Sequence, residues 1–270
     1  MLINIHRRQT SFFKLDHFKI NCYKFLYSCL LISVLLSCQS KEEEIQLLLN
    51  LPIDHEQIII HTTETTGSLL TLKYYKEVNL KLISSHNNIY KFSVDVINIK
   101  SENTVNAESE IYDSSMPVSQ MTESELKLHE QYQTILASVF HISVDKYGNV
   151  IKQLSFPNGK ASPEGVFEFT DFQIIFPYKK TSVGSKWESE RKNPINSQPI
   201  KINYELKHIS DDKVYIGARH IIPSIQTMLN SNTQYGDYIL DRHTGALIKG
   251  SLKMNLQTGG TVTRSFYPKE

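Results

Sequence analysis

The chain is 270 residues long, enough for one large hydrophobic core, and 29 Lys and Arg against 28 Asp and Glu leave a formal charge of +1. That balance excludes the concentrated basic face that nucleic-acid recognition needs. All three cysteines, Cys22, Cys29 and Cys38, fall near the start, so the body of the chain has no disulfide framework.

The N-terminal segment carries Arg7, Arg8, Lys14, Lys19 and Lys24 against a single acid, Asp16. An apolar run follows from Phe25 to Ser37. As a helix it would rise about 20 Å, short of the ~30 Å hydrocarbon core, so a permanent membrane span is not expected. A basic stretch, a short apolar core and then small residues is the layout of a secretory signal. It ends in Leu35-Leu36-Ser37-Cys38, which resembles the lipobox of bacterial lipoproteins. That resemblance implies cleavage between Ser37 and Cys38, a diacylglyceryl thioether on the Cys38 sulfur, and usually acylation of the new amino terminus. The competing reading is an ordinary signal with Cys38 near its end by chance. Anchoring by two or three chains on one residue is effectively permanent, whereas one myristoyl chain binds only reversibly.

Gln39 stands where an aspartate would favour retention in an inner membrane, so an outer-membrane destination is expected. The run Lys41-Glu42-Glu43-Glu44 resembles the export tag of surface lipoproteins in Bacteroidota; its alternative is a solvated tether. Either the periplasmic face or the cell surface fits. Removing residues 1–37 takes away five Lys and Arg and one Asp, leaving 24 basic against 27 acidic residues, a formal charge of −3. The organisation read from this is a signal peptide at 1–37, an acylated terminus and tether at 38–57, and a β-rich domain at 58–270.

In chain order, residues 58–100 alternate apolar and polar side chains through "SLLTLKYY", "VNLKLIS" and "IYKFSVDVINIK", a strand period. Residues 101–121 are polar and poorly patterned and read as a loop or hinge, with two related lobes meeting there as a further expectation. "TESELKLHEQYQTILASVF" reads as a helix: Thr122 and Glu125 fit a capping box, and Leu128, Tyr132, Ile135, Leu136 and Val139 share a face. Hairpins are expected at "HISVDKYGNVIKQLSF" and at "QPIKINYELKHISDDKVYIGARHII", with further turns at Thr244-Gly245 and Gly259-Gly260. "VDKYGNVIK" and "LDRHTGALIK" look alike, as two tight turns or as a duplicated unit. Long alternating strands joined by short turns predict a mainly β fold, an antiparallel curved sheet or half-barrel with one packing α-helix.

Pro177, Val183-Gly184 and Trp187, after Gly148-Asn149-Val150 and before Asp241-Arg242-His243-Thr244-Gly245, resemble an uncharacterised family of Bacteroidota lipoproteins over roughly residues 58–262. The resemblance implies architecture alone, since no activity is established for that family. On the residues themselves, Gly184 would make a turn and Trp187 would plug the core.

No catalytic residue, metal site or cofactor is expected. The eight histidines after residue 38 (His55, His61, His86, His129, His141, His208, His220 and His243) form no HExxH or i, i+4 pair. G-x-S-x-G and phosphate-cradling glycine motifs are absent, and Asp211, Asp212 and Asp241 read as turn residues. Tyr74, Tyr75, Tyr90, Phe92, Phe140, Phe167, Phe169 and Tyr204 could line an apolar site, though filling the core is the commoner role. The expected partners are a membrane, through the acyl chains, and an unknown protein or apolar ligand. A non-enzymatic binding or assembly role leads, a carrier of lipid or another apolar ligand is the alternative, and a hydrolase with a dispersed site comes third. Replacing the Cys38 thiol by a hydroxyl, Cys38→Ser, should abolish metabolic labelling by a palmitate analogue and release the protein from the membrane fraction. Unchanged labelling and fractionation would remove the anchor.

Overall fold

The computed structural model describes residues 43–68, 70–106, 108–152, 173–192, 198–222, 233–256 and 259–270. Ser37, Cys38, Lys41 and Glu42 of the expected anchor and tag lie outside them, as do Phe167 and Phe169. Residues 44–270 form one compact unit.

The strands are β1 (Glu56–Thr66), β2 (Leu70–His86), β3 (Ile89–Val105), β4 (Glu108–Asp113), β5 (Val139–Asp145) and β6 (Val150–Lys152) in the first half. The second half supplies β7 (Lys186–Lys192), β8 (Pro199–Ile209), β9 (Lys213–Ile221), β10 (Thr233–Asp241), β11 (Leu247–Asn255) and β12 (Thr261–Pro268). All twelve join one open antiparallel sheet in the order β6-β5-β3-β2-β1-β12-β11-β10-β9-β8-β7, with β4 paired to the far half of β3. The seam between the halves is β1 against β12, from Ile59 opposite Pro268 to Thr66 opposite Thr261.

Alternation explains most of these strands. In β3 the side chains of Tyr90, Phe92, Val94 and Val96 are buried on one face, while Lys91 and Asp95 face the other way. The pattern breaks where two apolar residues meet. Val96-Ile97 marks a bulge that leaves Ile97 without a partner in the β2 register, and Leu82-Ile83 marks a second at Ile83. Leu247-Ile248 marks a third, opposite Ile239-Leu240. Each bulge adds local twist and bends the sheet.

The bending is large. β5 and β7 stand nine places apart in the strand order, about 43 Å in a flat sheet at ~4.8 Å per strand. Yet Phe176 N donates to Tyr147 O in the β5–β6 turn at 2.7 Å, and its neighbour Ile175 O accepts from Trp187 Nε1 of β7 at 2.8 Å. The sheet is therefore curled until its two ends approach, and one continuous core joins Phe92 and Ile142 on one wall to Leu206, Ile216 and Leu240 on the other. Trp187 is half-buried and stacked on Tyr204, centroids 5.3 Å apart.

The helix, α1 (Glu123–Leu136), starts at the expected capping box: Thr122 Oγ1 accepts from Glu125 N at 3.4 Å, and Thr122 N donates to Glu125 Oε2 at 2.6 Å. Leu128, Tyr132, Leu136 and the fully buried Ile135 pack against the core, with Tyr132 against Tyr112 of β4 at 5.5 Å. Val139 departs from the expected helical face. The helix ends at Leu136, and Val139 opens β5, half-exposed opposite Asp95. Residues 101–113 also depart from the expected loop or hinge: β3 runs on to Val105, turns at Asn106 (φ 48°) and returns as β4. Its polar stretch hides the strand because both faces of this projecting hairpin are partly wet.

The look-alike turns have a shared mechanical reason. Gly148 and Gly245 have φ of +84° and +70°, and another chain segment presses on each. A Cβ at Gly148 would strike the Ile174 carbonyl, and one at Gly245 would lie 2.5 Å from Leu48 O. Gly184, φ +86°, has nothing among the described residues within 4 Å of its Cβ position. Gly245→Ala should therefore cost about 3 kcal/mol, strain plus clash, and Gly184→Ala only about 1–2 kcal/mol of strain. Urea unfolding of the two variants checks this, and equal losses would show that no segment bears on Gly245.

Candidate functional site: an apolar hollow under two straps

One end of the curled sheet is closed by two extended segments. The first strap, residues 45–52, alternates Ile45, Leu47, Leu49 and Leu51 toward the core with Gln46 and Asn50 outward. It begins at a two-bond bridge between Ile45 and Thr181, both bonds 2.9 Å. Leu49 N then donates to Lys146 O in the β5–β6 turn at 2.8 Å, and Asn50 N donates to Thr244 O in the β10–β11 turn at 2.9 Å. Tyr90 Oη donates to Leu49 O at 2.8 Å. The second strap, residues 173–181, buries Ile174 and Phe176 and is held by the Tyr147 and Trp187 bonds already given.

Sequence reading grouped residues 45–52 with the tether; the structure builds them into the core, Leu47 being 5% exposed. The missed signal was their own period of two, read past because an acidic run adjoins it. Glu43 and Glu44, the described part of the expected tag, are exposed immediately before the Ile45–Thr181 bridge.

Beneath the straps lies a hollow of about 100 Å³. Leu49, Leu51 and Phe176 roof it, Ile59, Leu80 and Phe92 form one wall with Val144, and Leu240, Ala246 and Leu247 form the other. Among the described residues no Asp, Glu, Lys or Arg lines it, and its polar groups come from His55, Gln57 and Gln173. Gln57 Nε2 donates to Leu247 O at 2.9 Å, tying β1 to β11. Gln173 Nε2 donates to Gly148 O, while its buried Oε1 has no hydrogen-bond partner among the described residues. That oxygen would accept from a ligand hydroxyl or N–H. Burial lowers the His55 pKa and favours the neutral ring.

The curled face changes character along its length. His61, Lys76, His220 and Gln234 are buried farther from the straps, so the apolar hollow belongs to the strap end. The aromatic residues named from sequence mostly fill the core: Tyr90, Phe92, Phe140 and Tyr204 are buried, and of these Phe92 reaches the hollow. Tyr75 instead donates to Glu77 Oε1 at 2.7 Å.

The acidic turn residues do structural work. Asp241 Oδ1 accepts from His243 N at 3.0 Å, Thr244 N at 2.8 Å and Thr244 Oγ1 at 2.7 Å. Burial opposes ionisation of Asp241, and these bonds outweigh it and lower its pKa. Asp212 Oδ1 accepts from Ser210 Oγ at 3.3 Å. Among the described residues, no three His, Cys, Asp or Glu side chains meet as a metal site requires. Among them, too, no helix is long and apolar enough to cross a membrane.

No protein-family model matches this chain, and no curated protein matches it. A structure of lipid–protein interactions in lipovitellin aligns with 80% of this chain and 25% of that one, at 5% identity and a TM-score of 0.42. A domain assigned to outer membrane lipoprotein sorting, from Vibrio parahaemolyticus, aligns over 80% of this chain and 83% of its own, at 9% identity and a TM-score of 0.21. At these TM-scores neither likeness carries weight for function.

His55 gives the hollow a pH signature. Its folded pKa lies below the ordinary value of 6.5. As pH falls through about 6.5, the unfolded chain takes up a proton that the folded ring resists, so the His55 contribution to stability is lost on acidification. The urea midpoint should fall between about pH 7.5 and 5.5, and less steeply in His55→Gln. Parallel slopes in the two proteins would remove His55 as the cause.

Proposed function

We propose that this chain is an acyl-anchored envelope protein that holds the apolar part of a neutral lipid beneath its two straps. The observation that carries the reading is the hollow itself: uncharged, lined by aliphatic and aromatic side chains, and roofed by a segment beginning seven residues after Cys38. Its buried acceptor Gln173 Oε1, unpartnered among the described residues, suits a ligand with one hydroxyl or N–H near its apolar tail. An ionised headgroup would stay outside, because nothing in the lining would offset its desolvation.

The volume defines the state described. At about 100 Å³ the hollow is smaller than the ~150 Å³ cavity that accommodates benzene, and well below the ~300 Å³ at which ligand pockets begin. This is a closed form, and a long chain enters only when Leu49 and Leu51 swing out with their strap. The assembly role draws less support from the sheet edges. β6 is three residues long, and β7, "KWESERK", is heavily charged, both features that discourage strand addition.

The test is organic extraction of the native protein purified from membranes, with mass spectrometry of the released lipids. A neutral lipid should co-purify with the natural chain, and be lost from Ala246→Phe, whose ring fills the hollow. Circular dichroism would confirm that this variant is folded. Absence of any lipid from the natural chain, or equal amounts in both proteins, would sink the carrier reading.

A further inference from the structure

The hairpins of an up-and-down sheet alternate between its two ends, and here the ends differ in chemistry. The turns at residues 87–88, 145–149, 210–212 and 241–246 share the strap end; those at Asn106 and 259–260 lie at the other. At the strap end, next to the Ile45–Thr181 bridge, Tyr178 is 67% exposed and Lys179 and Lys180 are exposed beside it. The Tyr178 ring meets Tyr147 edge-on at 4.5 Å, its hydroxyl accepts from Asn149 Nδ2 at 3.1 Å, and Lys146 Nζ lies 5.2 Å from the Tyr147 ring centre. Val183, in the next turn, is 48% exposed. Paired tyrosines held in place by their own contacts, with lysines around them, are the side chains that settle at a membrane–water interface. Glu188 and Glu190 adjoin the rim along β7, and Glu43 and Glu44 precede it, so its field is local.

Chain length fixes which way this rim faces. Cys38 and Ile45 are seven residues apart, at most about 25 Å when fully extended. β3 alone runs 17 residues, about 56 Å of strand. An acyl group buried in a bilayer at Cys38 therefore keeps the strap end near the surface and leaves the far hairpins in water.

We infer that the Tyr147–Tyr178 pair with Lys146, Lys179 and Lys180 docks on the headgroups of an anionic bilayer and holds the straps against the lipid surface. The inference rests on the anchored-carrier reading and adds an orientation to it: the route from bilayer to hollow is short and passes under the first strap. Each lysine near an anionic surface changes the docked-to-undocked ratio about five-fold, so Lys179 and Lys180 together account for about thirty-fold.

Once Cys38 is acylated, the mature chain has no other thiol, so single cysteines can carry an environment-sensitive dye. Acylated mature protein labelled at Val183→Cys, or at Glu110→Cys in β4 at the far end, is reconstituted into vesicles. One set is phosphatidylcholine alone and the other contains about 30% phosphatidylglycerol, enough for a negative surface potential. Flotation reports anchoring separately. The dye at 183 should shift to the blue on the anionic vesicles, lose that shift in K179E/K180E, and do so while both proteins still float. The dye at 110 should stay water-like throughout. Floating protein whose dye at 183 responds equally to both vesicles, or is unaffected by K179E/K180E because the lysines serve the tether's glutamates, overturns the rim alone. Protein that does not float overturns the anchor and the rim's orientation with it.

Discussion

Two adjacent peptide groups govern this architecture. Leu49 N bonds to the β5–β6 turn and Asn50 N to the β10–β11 turn, strands six places apart in the sheet order. In a flat sheet those turns would stand about 29 Å apart; here neighbouring residues span them. The clip makes an open sheet behave as a closed container without a closed ladder. The bulges at Ile83, Ile97 and Ile248 provide the bend, the two left-handed glycines let backbone approach backbone, and the leucines of the strap fill what remains of the interior. The second strap reinforces the clip, bonding through Phe176 N to Tyr147 O and through Ile175 O to Trp187 Nε1.

The same arrangement accounts for the character of the site. A hollow remains because extended straps cross a curled sheet imperfectly, and it is apolar because the strands that reach it present Ile59, Leu80, Val144, Leu240 and Leu247 there. Farther along, buried His61, Lys76, His220 and Gln234 make the interior polar. The apolar compartment is thus bounded by side-chain chemistry at its inner end and by the leucine-bearing strap at its outer end. A hollow this small keeps the interior well packed, where larger voids would forfeit packing contacts.

Much of this could be read from the residues. Alternation defined the hairpins around Asp145, Asp211 and Gly245, and the Thr122–Glu125 pair marked the helix start, because these are local patterns with local causes. Bulges were legible too, as the doublets Leu82-Ile83, Val96-Ile97 and Leu247-Ile248, had two apolar neighbours in a strand been taken as a change of phase. What escaped depends on distant partners. Residues 101–113 have no single dry face, so period two was invisible there. Val139 suits a helix face as well as a strand, and only pairing with β3 decides. Ile45 to Leu51 alternate plainly, but an extended segment without a neighbouring strand looks like a leash until the turns that receive it are known. The hollow had no signature at all, since it is made of what several segments leave uncovered.

The seam between β1 and β12 has a temporal meaning. Residues 59–66 wait for residues 261–268, so the middle of the sheet, its best protected position in space, is the last to become available during synthesis. Pairing across some two hundred residues carries a large loop-closure cost and slow acquisition of native order. The two halves of the sheet can therefore join only after β12 has been made, in whatever order the other hairpins form.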